Sequence, residues 1–72
     1  GIMLLNGNDL SQIIQRLSIY YGISIQCEPI IGKEKVYGKL DLKDDIDEVI
    51  ECIQQTLPFT IEKSDTSIYL NK

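Results

Sequence analysis

The chain has 72 residues and a net charge of −4; 43% of its residues are hydrophobic and 25% are charged. A chain this short buries only about 60% of the surface its unfolded form exposes, which reads as one soluble globular unit of modest stability. No stretch is long and apolar enough to cross a bilayer, and the acidic excess argues against nucleic acid, whose phosphates need a basic face.

The first element is a strand over 2–6, "IMLLN". A helix follows over 9–21, because Leu10, Ile13, Ile14, Leu17 and Tyr21 recur at helical spacing. Asn8 or Asp9 is placed to cap its first turn, and Gly22 to end it, since glycine accepts the left-handed conformation that closes a helix. In 23–28 the period changes to two: Ile23, Ile25 and Cys27 alternate with Ser24, Gln26 and Glu28, which is strand spacing. Residues 28–35, "EPIIGKEK", read as the longest loop, with Ile30 and Ile31 folding back onto the core. A strand over 36–42, a helix over 45–56 and a strand over 59–63 come next. The turn "KSDTS" (63–67) leads to a last strand over 67–71.

The chain matches itself at an offset of 36. "DLSQIIQRLSIYYGISIQ" (9–26) lies over "DIDEVIECIQQTLPFTIE" (45–62). Leu10, Ile13, Leu17 and Ile23 meet Ile46, Val49, Ile53 and Phe59. Gly22 meets Pro58, and each stops a helix in its own way. Backward, "IMLLN" meets "GKLDL" (38–42). Each unit is therefore strand, helix, strand. Ile19 and Cys52 lie off the apolar stripes of their helices, which suggests helices covered on two sides.

The chemistry that might be present is limited. There is no histidine, so the commonest general base and metal ligand are missing and no Ser or Cys nucleophile has a His partner. An enzyme is not expected, nor a cofactor, nor a metal. The carboxylates Asp44, Asp45, Asp47 and Glu48 lack the glycine and spacing of a calcium loop and instead suit a helix start, where the dipole favours them. Lys33, Lys35, Lys39 and Lys43 read as protection of a strand edge. Cys27 is expected to point inward. For Cys27 and Cys52 two readings stay open, buried free thiols or a bridge between them. Tyr21, on the core stripe, is read as structural. Tyr37 and Tyr69 should point away from the inward faces of their strands, where a tyrosine can anchor a partner.

This series of motifs resembles the C-terminal domain of FecR-type anti-sigma regulators of the Bacteroidetes type. It comprises a leucine-led helix ending in Tyr20-Tyr21 before Gly22, an alternating strand, and the aromatic-glycine strand Val36-Tyr37-Gly38. Then come an acidic turn into Asp47-Glu48-Val49-Ile50 and the closing Ile68-Tyr69-Leu70. The resemblance covers about residues 8–72. It implies a fold similar to the secretin and TonB short N-terminal domain, with two helices between two small sheets. It also implies a periplasmic domain of an inner-membrane protein with one membrane span, whose partner is the signalling domain of a TonB-dependent outer-membrane transducer.

The expectation is thus an α+β fold, β-α-β-β-α-β-β, forming one domain over 1–72. The piece opens on Gly1 with no basic start leading into an apolar run, and is expected to be excised from a larger membrane protein. Its function is expected to be non-catalytic protein binding, with no nucleic-acid partner, by strand addition at the open edges 67–71 and 36–42. Tyr37, Lys39, Ser67, Tyr69 and Asn71 are the candidate contact residues. The rivals are the signalling domain of a transducer, a secretin N-terminal domain, and a ferredoxin-like domain that binds a small ligand.

Overall fold

A computed structural model describes all residues, 1–72. Strand β1 (Ile2–Asp9) runs longer than its alternation suggests, because Gly7 adopts φ +84 and lets the chain bulge between Asn6 and Asn8 without leaving the ladder. A side chain at residue 7 would also strike the ring of Tyr37, whose atoms lie 3.2–3.3 Å from where its Cβ would sit. Helix α1 (Leu10–Tyr21) buries Leu10, Ile13, Ile14 and Leu17 along one stripe. It begins without a side-chain cap. The Asn8 carboxamide instead accepts from the Asn6 N–H at 3.0 Å, and the Asp9 carboxylate pairs with Lys35 across the sheet. Gly22 ends the helix at φ 67, its N–H donating to the Ser18 carbonyl at 2.9 Å.

Strand β2 (Ser24–Cys27) leads into a single helical turn, α2 (Pro29–Gly32), where a loop is expected from the sequence. Pro29 opens it with its φ already set for a helix. Only Ile31 returns to the core; Ile30 stays exposed. Strand β3 (Lys35–Asp41) buries Val36 and Leu40. Helix α3 (Ile46–Thr56) carries Asp47 and Glu48 in its first turn and buries Val49, Ile50 and Ile53. Strands β4 (Thr60–Lys63) and β5 (Ser67–Asn71) form the closing hairpin.

The fold is α+β, with helices packed between two small sheets as the resemblance implies. β1 and β3 pair antiparallel as one sheet, while β2, β5 and β4 form the other in that order. β5 runs parallel to β2 and antiparallel to β4. The strands do not form the one sheet of a ferredoxin-like arrangement. A single cluster of 15 buried side chains, all apolar, takes Leu5, Val36 and Leu40 from one sheet, Ile25, Ile68 and Leu70 from the other, and both helix stripes between them. That packing covers the helices on two sides. Ile19 and Cys52 are not part of it, for Ile19 is 84% exposed and Cys52 is exposed as well. Both cysteines are free; Cys27 is half-buried against the core, and burial pushes its thiol upward.

β5 is the central strand of its sheet, so the expectation that Ser67–Asn71 is an open edge is wrong. The hairpin occupies one side of β5 and β2 adds to the other, and nothing in the local sequence of a strand reports a neighbour that arrives from 43 residues earlier, as Ser24 does for Ser67.

Candidate protein interface

The outer face of the β1–β3 sheet carries three of the molecule's six exposed large hydrophobic side chains. The sequence "IMLL" puts apolar side chains on both faces of β1: Met3 and Leu5 turn inward, leaving Ile2 and Leu4 outside. Ile2 is 63% exposed, Leu4 74% and Tyr37 64%. The register places Ile2 opposite Asp41, Leu4 opposite Lys39 and Asn6 opposite Tyr37. An aliphatic pair and a tyrosine ring therefore share one face with a lysine and a carboxylate beside them. Each strand of this two-stranded sheet has neighbours on one side only, so both keep an open margin. Beside the β3 margin is a depression of about 240 Å³ lined by Leu5, Val36, Leu40, Cys52 and Ile53, among others.

Of the five candidate contact residues, Tyr37 and Lys39 lie on this face. Ser67, Tyr69 and Asn71 lie on the outer face of the other sheet, across the helical layer, and are half-buried. The structure does not bring the two groups together. Tyr69 sits between Gln26 and Glu62, the Asn71 amide bonds the Glu62 carboxylate, and the Ser67 hydroxyl lies 2.8 Å from that of Ser64 in the turn. Because β5 is central, these three residues can reach a partner only through side chains.

Tyr21 is structural. Its hydroxyl donates to the Asp44 carbonyl at 2.7 Å and lies 3.2 Å from the Leu42 carbonyl, fastening the end of α1 to the turn before α3. Burial, helped by Tyr20 and the carboxylates of the acidic turn, pushes its phenol upward. Sequence reasoning missed Ile2 and Leu4. The signal was there, since four consecutive apolar residues cannot all point inward from a strand.

No helix is long and apolar enough to cross a membrane. The profile of the family described as "FecR, C-terminal" matches residues 2–70. No curated protein matches the chain. Two crystal structures of a candidate anti-sigma factor from Parabacteroides distasonis ATCC 8503, at 1.65 and 2.50 Å, superpose on it with a TM-score of 0.87 and 25% identity. The chain is covered completely and spans 34% of the length of that protein.

Proposed function

We propose that this chain, which belongs to the FecR C-terminal family, is a non-catalytic interaction module of an anti-sigma regulator, placed in the periplasm and carried by a parent protein with one membrane span. Its partner is the signalling domain of a TonB-dependent outer-membrane transducer. The observation that supports this reading is the exposed Ile2–Leu4–Tyr37 face, an apolar patch with a polar rim and an open strand margin at its side. Exposed apolar surface of this kind marks a contact site, and tyrosine suits it because an apolar body and a polar tip are delivered with few rotamers to immobilise. Lys39 lies within the face, where a charge selects partners more than it adds strength. Ser67, Tyr69 and Asn71 would serve a partner on the far sheet.

The test is calorimetric titration of the domain with the signalling domain of its cognate transducer. Tyr37→Asp is expected to weaken binding by about tenfold or more, the loss of a central anchor, while thermal melting stays unchanged. Tyr69→Asp separates the faces: if it abolishes binding and Tyr37→Asp does not, the contact is on the other sheet. An absence of heat at several hundred micromolar, roughly the weak limit for a transient complex, would sink the reading.

A further inference from the structure

The three-stranded sheet has two margins, and they are not alike. Along β2 the Glu28 N–H donates to the Leu70 carbonyl, so even-numbered residues bond β5 while Ile25 and Cys27 turn their backbone groups outward. The outward pair of Ile25 is taken. Its N–H donates to the Ser18 hydroxyl at 3.0 Å, and that hydroxyl lies 3.4 Å from its carbonyl. Along β4 the Ser64 N–H donates to the Ser67 carbonyl, so Glu62 and Thr60 bond β5 while Ile61 and Lys63 face outward. Gln54 is the repeat equivalent of Ser18, but its amide reaches the Phe59 carbonyl at 2.8 Å, two residues short of Ile61. No side chain covers the outward N–H and C=O of Ile61 and Lys63.

Beside this open margin runs a groove of about 400 Å³. One wall is a stripe of α3, formed by Asp47, Ile50, Glu51 and Gln54. The other is Ile61 and Lys63, with Ile68 between them. The Lys63–Asp47 ion pair, at 2.8 Å, closes one end, and the Gln54–Phe59 bond closes the other. The stretch of β4 between these bridges is about 13 Å long, room for the inward side chains of a short added strand. Asp47 is neutralised by Lys63. Glu51 has no ion pair, and α3 carries three carboxylates and no basic residue.

We infer that this groove receives an extended cationic segment of another polypeptide, added to the sheet beside β4. Its backbone pairs with the outward groups of Ile61 and Lys63. On its inward face, valine- or isoleucine-like side chains cover Ile50 and Ile61, and a Lys or Arg between them meets Glu51. Main-chain pairing gives the affinity, and the groove and Glu51 select the segment. The proposal does not depend on the transducer reading, because it concerns a different sheet.

The probes are the peptides SVTKTVS and SVTETVS, acetylated and amidated, titrated into the 72-residue chain and followed by amide hydrogen exchange. The lysine peptide is expected to slow exchange at Ile61 and Lys63 and leave Ile25 unchanged. It should bind about tenfold more tightly than the glutamate peptide, a preference that shrinks in Glu51→Gln and reverses in Glu51→Lys. Glu51 is exposed, so both variants should melt like the parent. The inference is overturned if neither peptide protects those amides at millimolar concentration, if both bind equally, or if the amides become protected without peptide as protein concentration rises, which would make a second copy of the chain the occupant. A domain that binds the lysine peptide but ignores the transducer would overturn only the earlier proposal.

Discussion

Ser18 and Gln54 hold the same place in the two halves of this domain, each projecting from a helix toward the strand that follows it. Ser18 reaches the backbone of Ile25, accepting from its N–H at 3.0 Å and lying 3.4 Å from its carbonyl. Gln54 has a longer side chain and engages the chain earlier, at Phe59. Ile25 and Ile61 are themselves equivalent in the repeat, yet one has its outward backbone sealed and the other does not. A duplicated unit can thus keep its core and still make its two margins differ, by changing where one polar side chain lands. The core is kept in both halves: Leu17 and Ile53, also equivalent, are both almost wholly shielded from water, at 0% and 1% exposure.

The largest expected effect tests the shared core. Leu17→Ala and Ile53→Ala should each cost about 2–5 kcal/mol, the usual range for truncating a buried aliphatic side chain, and the two values should be similar. Urea denaturation measures both. If one half lost its side chain at little cost, the halves would not support the fold equally. The next effect separates the margins. Ser18→Ala strips the Ile25 N–H of its acceptor and the nearby carbonyl of a neighbouring hydroxyl, and should cost about 1–2 kcal/mol, with faster amide exchange at Ile25. Gln54→Ala removes one bond and should cost about 0.5–1 kcal/mol, leaving exchange at Ile61 as it was. Equal losses in the two variants, or slower exchange at Ile61 than at Ile25 in the parent, would contradict a first margin covered at Ile25 and a second one open at Ile61.

Much of this organisation is legible in the sequence, and what is not has a physical reason. The stripes Leu10–Ile13–Leu17 and Val49–Ile50–Ile53 give both helices, because burying one face of a helix imposes its period on the chain. The offset of 36 gives the two like halves. The order of strands within a sheet leaves no such mark, which is why Ser67–Asn71 reads as an edge when it is the centre. α2 is a single turn and too short to show a period. Ile19 and Cys52 are apolar yet face water, as isolated surface residues often do, and they carry no information about layers. Of the candidate contact residues, Tyr37 and Lys39 lie on an open face. The exposed neighbours Ile2 and Leu4 become visible as a surface only once β1 is paired with β3. The open β4 margin could not be read at all, since it depends on which carbonyl Gln54 reaches.

An effect of similar size to that at Gln54 concerns the ends of the two helices. Tyr21 is equivalent to Leu57, so only the first helix closes on a hydroxyl, and that hydroxyl bonds the turn leading into the second. Tyr21→Phe keeps the ring and should cost about 1 kcal/mol at neutral pH, the net contribution of one hydrogen bond. The cost should also depend on pH. Burial raises the phenol in the folded chain, so folding favours its neutral form. The stabilisation is then fully present below the unfolded value, about pH 10, and is lost as pH rises through the higher folded one. Parent and variant should therefore converge in stability in alkaline solution, with the parent falling more steeply. Denaturation midpoints followed from neutral pH to about pH 11 would show this convergence. A gap that stayed constant across that range would mean that the ring's packing, and not the bond to Asp44, fastens the first half of the domain to the second.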